Sequence, residues 1–369
     1  MAAAACAAVS PPPHHGLPDE IFIWEILVRL SPKPLLRCGA VCRAWRHAAT
    51  ARDFLLSHHG RQPTLPLLHC YNFVGDEVDS LDIIPFDHRT RLGHGLDSDQ
   101  LQSVARLGHA FFRPLASCDG LVVLTKNYAR FSICNPATRQ YAPLPLLSDF
   151  IFLGMYQHGP TGEYRFLLGP EAQDGCFVYT LGSGLPPRHV DIDCPDVEED
   201  ELIYPSGSVL FHGSLHLCIG NMIIAFNTIT ESFRQMRAPV DPWGADLFEM
   251  DGMLGMSIYN DASTSIDIWR TQDYESDVWA LKYRVELPVA EFGNFSKHWC
   301  VVVVSSDGDV LVLVKVDDRL LQIDVDGKLV ASFHRRGLGP TRHWLKQTLV
   351  SHALFPALEG YVVNSLPFL

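Results

Sequence analysis

Ala225-Phe226-Asn227-Thr228-Ile229-Thr230 is a short β-rich run closed by a polar turn, and the chain carries two further versions of it. Ser132-Ile133-Cys134-Asn135-Pro136-Ala137-Thr138 comes before it and Gln322-Ile323-Asp324-Val325-Asp326-Gly327 after it. Asn135 and Asn227 lie 92 residues apart, and Asn227 and Asp324 lie 97 apart, so halving either gap gives a period of about 47. The midpoints hold more strand material, Phe177-Val178-Tyr179-Thr180 and Ile266-Asp267-Ile268-Trp269-Arg270. The first two copies also run on to a proline, at Pro143 and Pro239. An all-β period of about 40–50 residues is that of propeller blades.

Outward from these copies the pattern continues from about Gln62 almost to the end. Gly120 to Leu124, Val209 to Phe211, Met222 to Phe226, Val301 to Val304, Val310 to Val314 and Leu320 to Val325 all have strand length and composition. No amphipathic helix pattern separates them, which argues against alternating β and α units. Asp326-Gly327 reads as a hairpin turn. Residues 61–369 number 309, enough for six blades of about 51 residues. A propeller has to close its ring to avoid open edges. The expected closure pairs Gly360 to Val363 with Leu65 to Phe73.

Residues 16–60 have a different character. Pro18 sits near a helix start, where its missing N–H costs nothing. From Pro18 to Leu30, at 100° per residue, only Glu25 and Arg29 mark a polar stripe in the helix body; they form an i,i+4 pair in the favourable order. Ile21, Phe22, Ile23, Trp24, Ile26, Leu27, Val28 and Leu30 cover most of the remaining circumference. A helix lying on a single core needs an apolar arc of roughly 100°. The excess calls for a second surface. Ser31-Pro32-Lys33-Pro34 breaks this helix, Leu35 to Cys38 reads as a short turn, and another helix runs from about Gly39 to Thr50.

Composition bounds the rest. Apolar residues make up 47% and charged residues 19% of 369, a globular balance. No apolar run reaches the roughly 18 residues of a membrane span. Residues 1–15, Ala-rich and then Pro-rich, read as a disordered lead without the basic start of a secretory signal. Ten scattered cysteines form no CxxC pair, so neither disulfides nor zinc are expected, and a reducing compartment, cytoplasmic or nuclear, is. Residues 1–60 carry +2 and the remainder −15, and so acidic a body does not suit nucleic acid.

Leu17-Pro18-Asp19-Glu20, Trp24 to Leu30, Lys33 to Cys38 and Val41-Cys42-Arg43-Ala44-Trp45-Arg46 together resemble an F-box of the form common in plant proteins. The β region is similar, more loosely, to plant F-box-associated domains. The segments that carry this are Ser117 to Leu121, Asn135 to Thr138, His212 to His216, Asp251 to Leu254, and Ile268-Trp269 with Trp279. The resemblance implies an α+β chain of two domains, a small three-helix F-box at 16–60 and an all-β six-bladed propeller at 61–369. It implies a substrate-recognition subunit of a Skp–cullin–F-box ubiquitin ligase, with no catalytic residue, cofactor or metal of its own. The partners would be a Skp-type adaptor, through it cullin and RING subunits, and a protein substrate. Carried over by position, the adaptor-binding residues are Leu17, Pro18, Ile21, Ile26, Leu27, Leu30, Leu35, Val41, Cys42 and Trp45.

The alternative is a propeller enzyme or carbohydrate-binding protein with an incidental helical lead; a scaffold that binds the adaptor but never a cullin is a third reading. The chain contains no GxGxxG before a helix, no GxxxxGK[ST], no HExxH and no GxSxG. His58-His59 lack partners at ligand spacing, and His212 and His216 read as core or rim histidines. The acidic stretch from Asp191 to Glu201 reads as a solvated loop without EF-hand spacing. His334-Arg335-Arg336 with Arg342-His343 is a locally basic cluster, read as a solvated loop. Trp269 and Trp279 are expected inside blades. Substrate contacts are expected on connecting loops: the 74–110 segment, the 191–201 loop and the surroundings of Trp243.

Overall fold

The computed structural model describes residues 18–88, 101–108, 112–126, 130–147, 149–170, 175–191, 207–219, 222–260, 263–288, 299–306 and 308–369. The chain divides between Gln62 and Pro63 into two compact units. Among the described residues no helix is long and apolar enough to cross a membrane.

The first unit is helical. α1 (Asp19–Ile21) runs into a π turn, Phe22–Ile26, and a 3-10 turn, Leu27–Arg29. α2 (Pro32–Cys38), α3 (Arg43–Thr50) and α4 (Arg52–Arg61) follow. The segment read as a break and a turn is thus a helix. Pro32 and Pro34 sit in its first turn, where backbone N–H groups have no partner inside the helix, so proline starts it instead of stopping it. The first i→i−4 bond, Leu35 N–H to Ser31 C=O at 3.1 Å, comes just after them. α4 makes one helix more than the sequence led us to expect.

Among the described residues the second unit forms six antiparallel sheets. β1 (Thr64–Val74), β2 (Glu77–Pro85) and β3 (Ala105–Gly108) belong to the first sheet. β4 (Phe112–Cys118), β5 (Leu121–Lys126), β6 (Arg130–Asn135) and β7 (Gln140–Pro143) form the second. The third holds β8 (Phe150–Gln157), β9 (Tyr164–Pro170), β10 (Cys176–Thr180) and β11 (Arg188–Val190). The fourth holds β12 (Ser208–Phe211), β13 (Ser214–Ile219), β14 (Met222–Asn227) and β15 (Phe233–Met236). β16 (Asp246–Met250), β17 (Met253–Asn260), β18 (Ser265–Asp273) and β19 (Val278–Glu286) form the fifth. β20 (Trp299–Ser306), β21 (Asp309–Val316), β22 (Arg319–Asp324) and β23 (Leu329–His334) form the sixth. β24 (Leu338–Lys346) then returns to pair with β1, and β25 (Val362–Val363) adds to β7. The strands β24, β4, β8, β12, β16 and β20 contact one another in that order and back to β24. This is a closed six-bladed propeller.

Each blade buries both faces. In the fourth, Leu215, Leu217, Ile219, Met222, Ile224 and Phe226 pack toward the third blade, while Cys218, Ile223 and Ala225 pack toward the fifth. A strand buried on both sides reads as a continuous apolar run instead of alternating, as Met222-Ile223-Ile224-Ala225-Phe226 does. Each fully buried Leu, Ile or Phe contributes roughly 1.5–3 kcal/mol. Six such clusters, one per pair of neighbouring blades, hold the ring.

The repeat has a local cause. Asn135, Asn227 and Asp324 each end the third strand of a blade and turn the chain with the side chain. Asn135 Oδ1 accepts from the N–H of Ala137 and Thr138, at 3.0 and 3.3 Å. Asn227 Oδ1 accepts from Ile229 and Thr230, both at 2.9 Å. Asp324 Oδ1 accepts from Asp326 and Lys328, at 3.1 and 2.9 Å. These are Asx turns. The midpoint segments lie in β10 and β18, the third strands of the intervening blades. Asp326-Gly327 lies in the β22–β23 turn, but the loop is wider than two residues, since Asp324 N–H bonds to Lys328 C=O.

Ring closure differs from the expectation. β1 pairs with β24, Leu65 facing Leu345 and Pro66 facing Trp344, while Val362 and Val363 face Tyr141 and Gln140. β24 is the innermost strand of its blade and, unlike β20, carries no apolar run. Its Arg342 forms an ion pair with Asp246 of the fifth blade and so bridges two innermost strands past the sixth blade between them. Just beyond β24, Thr348 is fully buried and its C=O accepts from Asn135 Nδ2 at 3.2 Å.

This packing makes two outcomes measurable. Asp119-Gly120 and His212-Gly213 make the same first-to-second-strand turn, all four residues with positive φ. A Cβ on Gly120 would lie 2.7 Å from the backbone oxygen of Lys346 and 2.4 Å from Thr348 Cγ2, whereas one on Gly213 meets nothing within 4 Å. Gly213→Ala should cost about 1–2 kcal/mol, the left-handed backbone penalty alone. Gly120→Ala should cost clearly more, because a backbone atom blocks it. Chemical denaturation of both variants decides this, and equal losses would refute the close approach. The second concerns His216, fully buried between Ser214 C=O and the Tyr274 hydroxyl, which burial pushes down to about 4 from its ordinary 6.5. The unfolded chain therefore binds a proton that the folded one refuses. Its contribution is complete above pH 6.5 and is lost as pH falls toward 4. Thermal melts from pH 7 to 4.5 should fall less steeply for His216→Gln than for the natural chain; parallel curves would count against it.

Candidate adaptor-docking face

The helical unit is too small to bury its own apolar residues, as domains of this size generally are. Leu27, Val28, Leu35 and Phe54 form its interior, each no more than 2% exposed. Around them Phe22 packs on Trp45 with ring centroids 5.5 Å apart, and Trp24 packs on Phe54 at 5.8 Å. α4 closes the unit through two polar side chains. His58 Nε2 lies 2.9 Å from Leu30 C=O, and Gln62 Nε2 donates to the same oxygen at 3.0 Å. Leu30 follows the last turn of the first helical run, where carbonyls lack partners. Burial lowers the pKa of His58, so the ring is held neutral.

The π turn changes which side chains emerge. Leu27 N–H bonds to Phe22 C=O as well as Ile23 C=O, one residue more than α spacing, so a uniform 100° wheel misplaces the residues after it. Ile21, Trp24 and Ile26 are 40%, 44% and 39% exposed, while Leu27 and Val28 turn inward. Glu25 and Arg29 form the anticipated pair at 2.7 Å.

Of the residues assigned to the adaptor, Pro18, Ile21, Ile26, Val41 and Cys42 are exposed, and Leu30 and Trp45 are half-buried. Leu27 and Leu35 lie in the interior of the unit, not on its surface. Leu17 lies outside the described residues. Cys42 acts locally, since its Sγ accepts from Trp45 N–H at 3.4 Å and caps α3. Trp24 and Leu36, absent from that set, are exposed, Leu36 at 57%. Leu35 and Leu36 are neighbours on a helix and therefore about 100° apart, so one faces in and the other out. Reading this segment as a turn concealed that choice.

In the propeller the singled-out residues have mostly structural places. His212 and His216 both meet Tyr274, whose ring also lies 5.2 Å from the Arg234 guanidinium. Trp279 Nε1 donates to Arg237 C=O at 2.9 Å, and both Trp269 and Trp279 pack between the fourth and fifth blades. The basic cluster is not a solvated loop. Arg335 donates to buried Asp82 at 2.7 Å, Arg336 stacks 4.1 Å from the Phe73 ring, and Arg342 pairs with Asp246. Burial opposes the charge of Asp82, but hydrogen bonds from Arg106 and Asn72 and the charges of Arg106 and Arg335 outweigh it and hold the carboxyl below its usual range. Among the described residues no three His, Cys, Asp or Glu side chains gather as a metal site. Trp243 stands 70% exposed. Residues 89–100 and 192–201, within two of the loops named for substrate, lie outside the described residues.

Comparison with known proteins agrees with both units. Residues 15–59 match the F-box-like family, and residues 88–324 match the F-box associated beta propeller domain. The chain is 24% identical over 364 residues to F-box protein CPR1 of Arabidopsis thaliana, covering 86% of this chain and 84% of that one. It is 26% identical over 250 residues to F-box only protein 8 of the same plant, covering 60% of this chain and 80% of the relative. Among solved structures, one from a nidogen/laminin complex aligns with a TM-score of 0.41 at 11% identity, over 76% of this chain and 99% of that one. The chain belongs to the plant F-box proteins that carry an F-box-associated β-propeller domain.

Proposed function

We propose that this chain is the substrate-recognition subunit of a Skp–cullin–F-box ubiquitin ligase in the cytoplasm or nucleus. The observation that carries the reading is the pairing of an F-box-like unit, with Ile21, Ile26 and Val41 left exposed, with a propeller of the associated family. Exposed apolar side chains on so small a unit fit a docking surface for a Skp-type adaptor. The chain itself supplies no chemistry in this reading. The adaptor links it to cullin and RING subunits, the propeller holds a protein, and the complex raises the effective concentration of a substrate lysine near the charged conjugating enzyme.

Surface and interior residues separate binding from folding. Ile26→Asp combined with Val41→Asp should weaken capture of a plant Skp-type adaptor by about 100-fold or more, on the scale of interface hot spots, while the melting of both units is retained. Leu27→Asp or Leu35→Asp should instead unfold the helical unit, because each places a charge in its interior. No adaptor complex with the intact chain, where a known F-box protein forms one, would overturn the reading. Reconstitution with cullin and RING subunits should ubiquitinate a captured partner; adaptor binding without ubiquitination would identify a scaffold instead.

A further inference from the structure

At the loop end of the β5–β6 hairpin Lys126 stands directly opposite Arg130. Like charges facing each other on a ladder destabilise it. Neither forms an ion pair with an acidic side chain among the described residues, although the chain as a whole carries −13. Both line a cleft of about 510 Å³, within the roughly 300–1,000 Å³ of ligand-holding pockets. Its apolar wall includes Phe112 and Tyr141, whose rings meet edge to face at 6.3 Å. Leu146 and Leu366, 70% and 65% exposed, stand in the same lining, and Leu366 comes from the segment that follows β25.

We infer that this cleft on the second blade binds an acidic segment of the protein substrate, an apolar side chain flanked by carboxylates. Charge complementarity selects the occupant. A carboxylate between Lys126 and Arg130 removes their repulsion. Arg130 with Lys126 provides a fork and a point charge, which together hold one carboxylate from two sides. The exposed leucines and the aromatic wall take the apolar side chain, the arrangement of a partner-binding surface with an anchor and a charged rim. The occupant is a peptide segment because the cleft is open and leucines at its edge remain uncovered.

The inference rests on the substrate-receptor reading, and the test keeps the two apart. A randomised peptide library is panned against the full chain and against Lys126→Glu/Arg130→Glu. Peptides with Asp or Glu beside Leu, Ile or Phe should be enriched, and should bind the double variant at least about tenfold more weakly, as two lost charge contacts imply. Lys126→Gln/Arg130→Gln, which removes the charges without reversing them, and Leu146→Asp should each weaken them as well, with unchanged melting. No enrichment, enrichment of neutral or basic peptides, or equal binding by the folded variants would overturn the inference. Adaptor capture is measured on the same proteins. Its loss in the natural chain refutes the receptor reading, whereas its retention without acidic enrichment refutes the cleft alone.

Discussion

Pairing of β24 with β1 is the constraint on which the propeller depends. A single blade exposes two apolar faces and cannot bury either one by itself. The stacked blades bury both, but only if the first and last meet. The chain does this by letting its late strand serve as the innermost strand of the first blade, with three strands from the start of the domain outside it. The joint is then reinforced. Asn135 bonds to the buried segment after β24, Phe355 and Leu358 pack between the second and third blades, and Phe368 packs between the first and second. Arg342 ties the closing strand to Asp246 of the fifth blade, past the sixth.

The helical unit meets the opposite problem, too little interior for its apolar content. Its solution is partial. Leu27, Val28, Leu35 and Phe54 fill the centre, and His58 and Gln62 satisfy the end of the first helical run. Ile21, Ile26, Leu36 and Val41 have no such place. Excess apolar surface here and the facing cations of the second blade share one feature: these groups find no complementary cover among the described residues. Under the proposed function the first would serve attachment to the adaptor and the second the hold on a substrate.

Much of this architecture was legible in advance because it is written in local rules. Asn135, Asn227 and Asp324 recur at a fixed blade position because each closes an Asx turn, a preference of the residue and its next few neighbours. The apolar runs follow from burial on both faces. The F-box-like segment was readable from residue order. The errors lie where the decision was not local. Pro32 and Pro34 looked like a break, yet proline in a first helical turn is permitted, and only the packing of Leu35 shows that the helix continues. The Phe22–Ile26 π turn shifts the phase of the helix, so Leu27 lies inside, where the family resemblance implies a surface residue, and Trp24 stands exposed. His334-Arg335-Arg336 looked solvated because Asp82, Asp76 and Phe73 are distant in sequence.

By itself, then, the sequence determined the division into a helical and a β unit, the blade period and the family, since each rests on side-chain preferences acting over a few residues or on their repetition. The tertiary structure alone decided which strand closes the ring, which leucine of Leu35-Leu36 is buried, and that Lys126 and Arg130 face one another over a cleft. Those outcomes depend on what the folded chain brings together from far along its length: β24 carries Arg342 instead of an apolar run, and Leu65 lies 280 residues from its partner Leu345, as Asp246 lies 96 from Arg342.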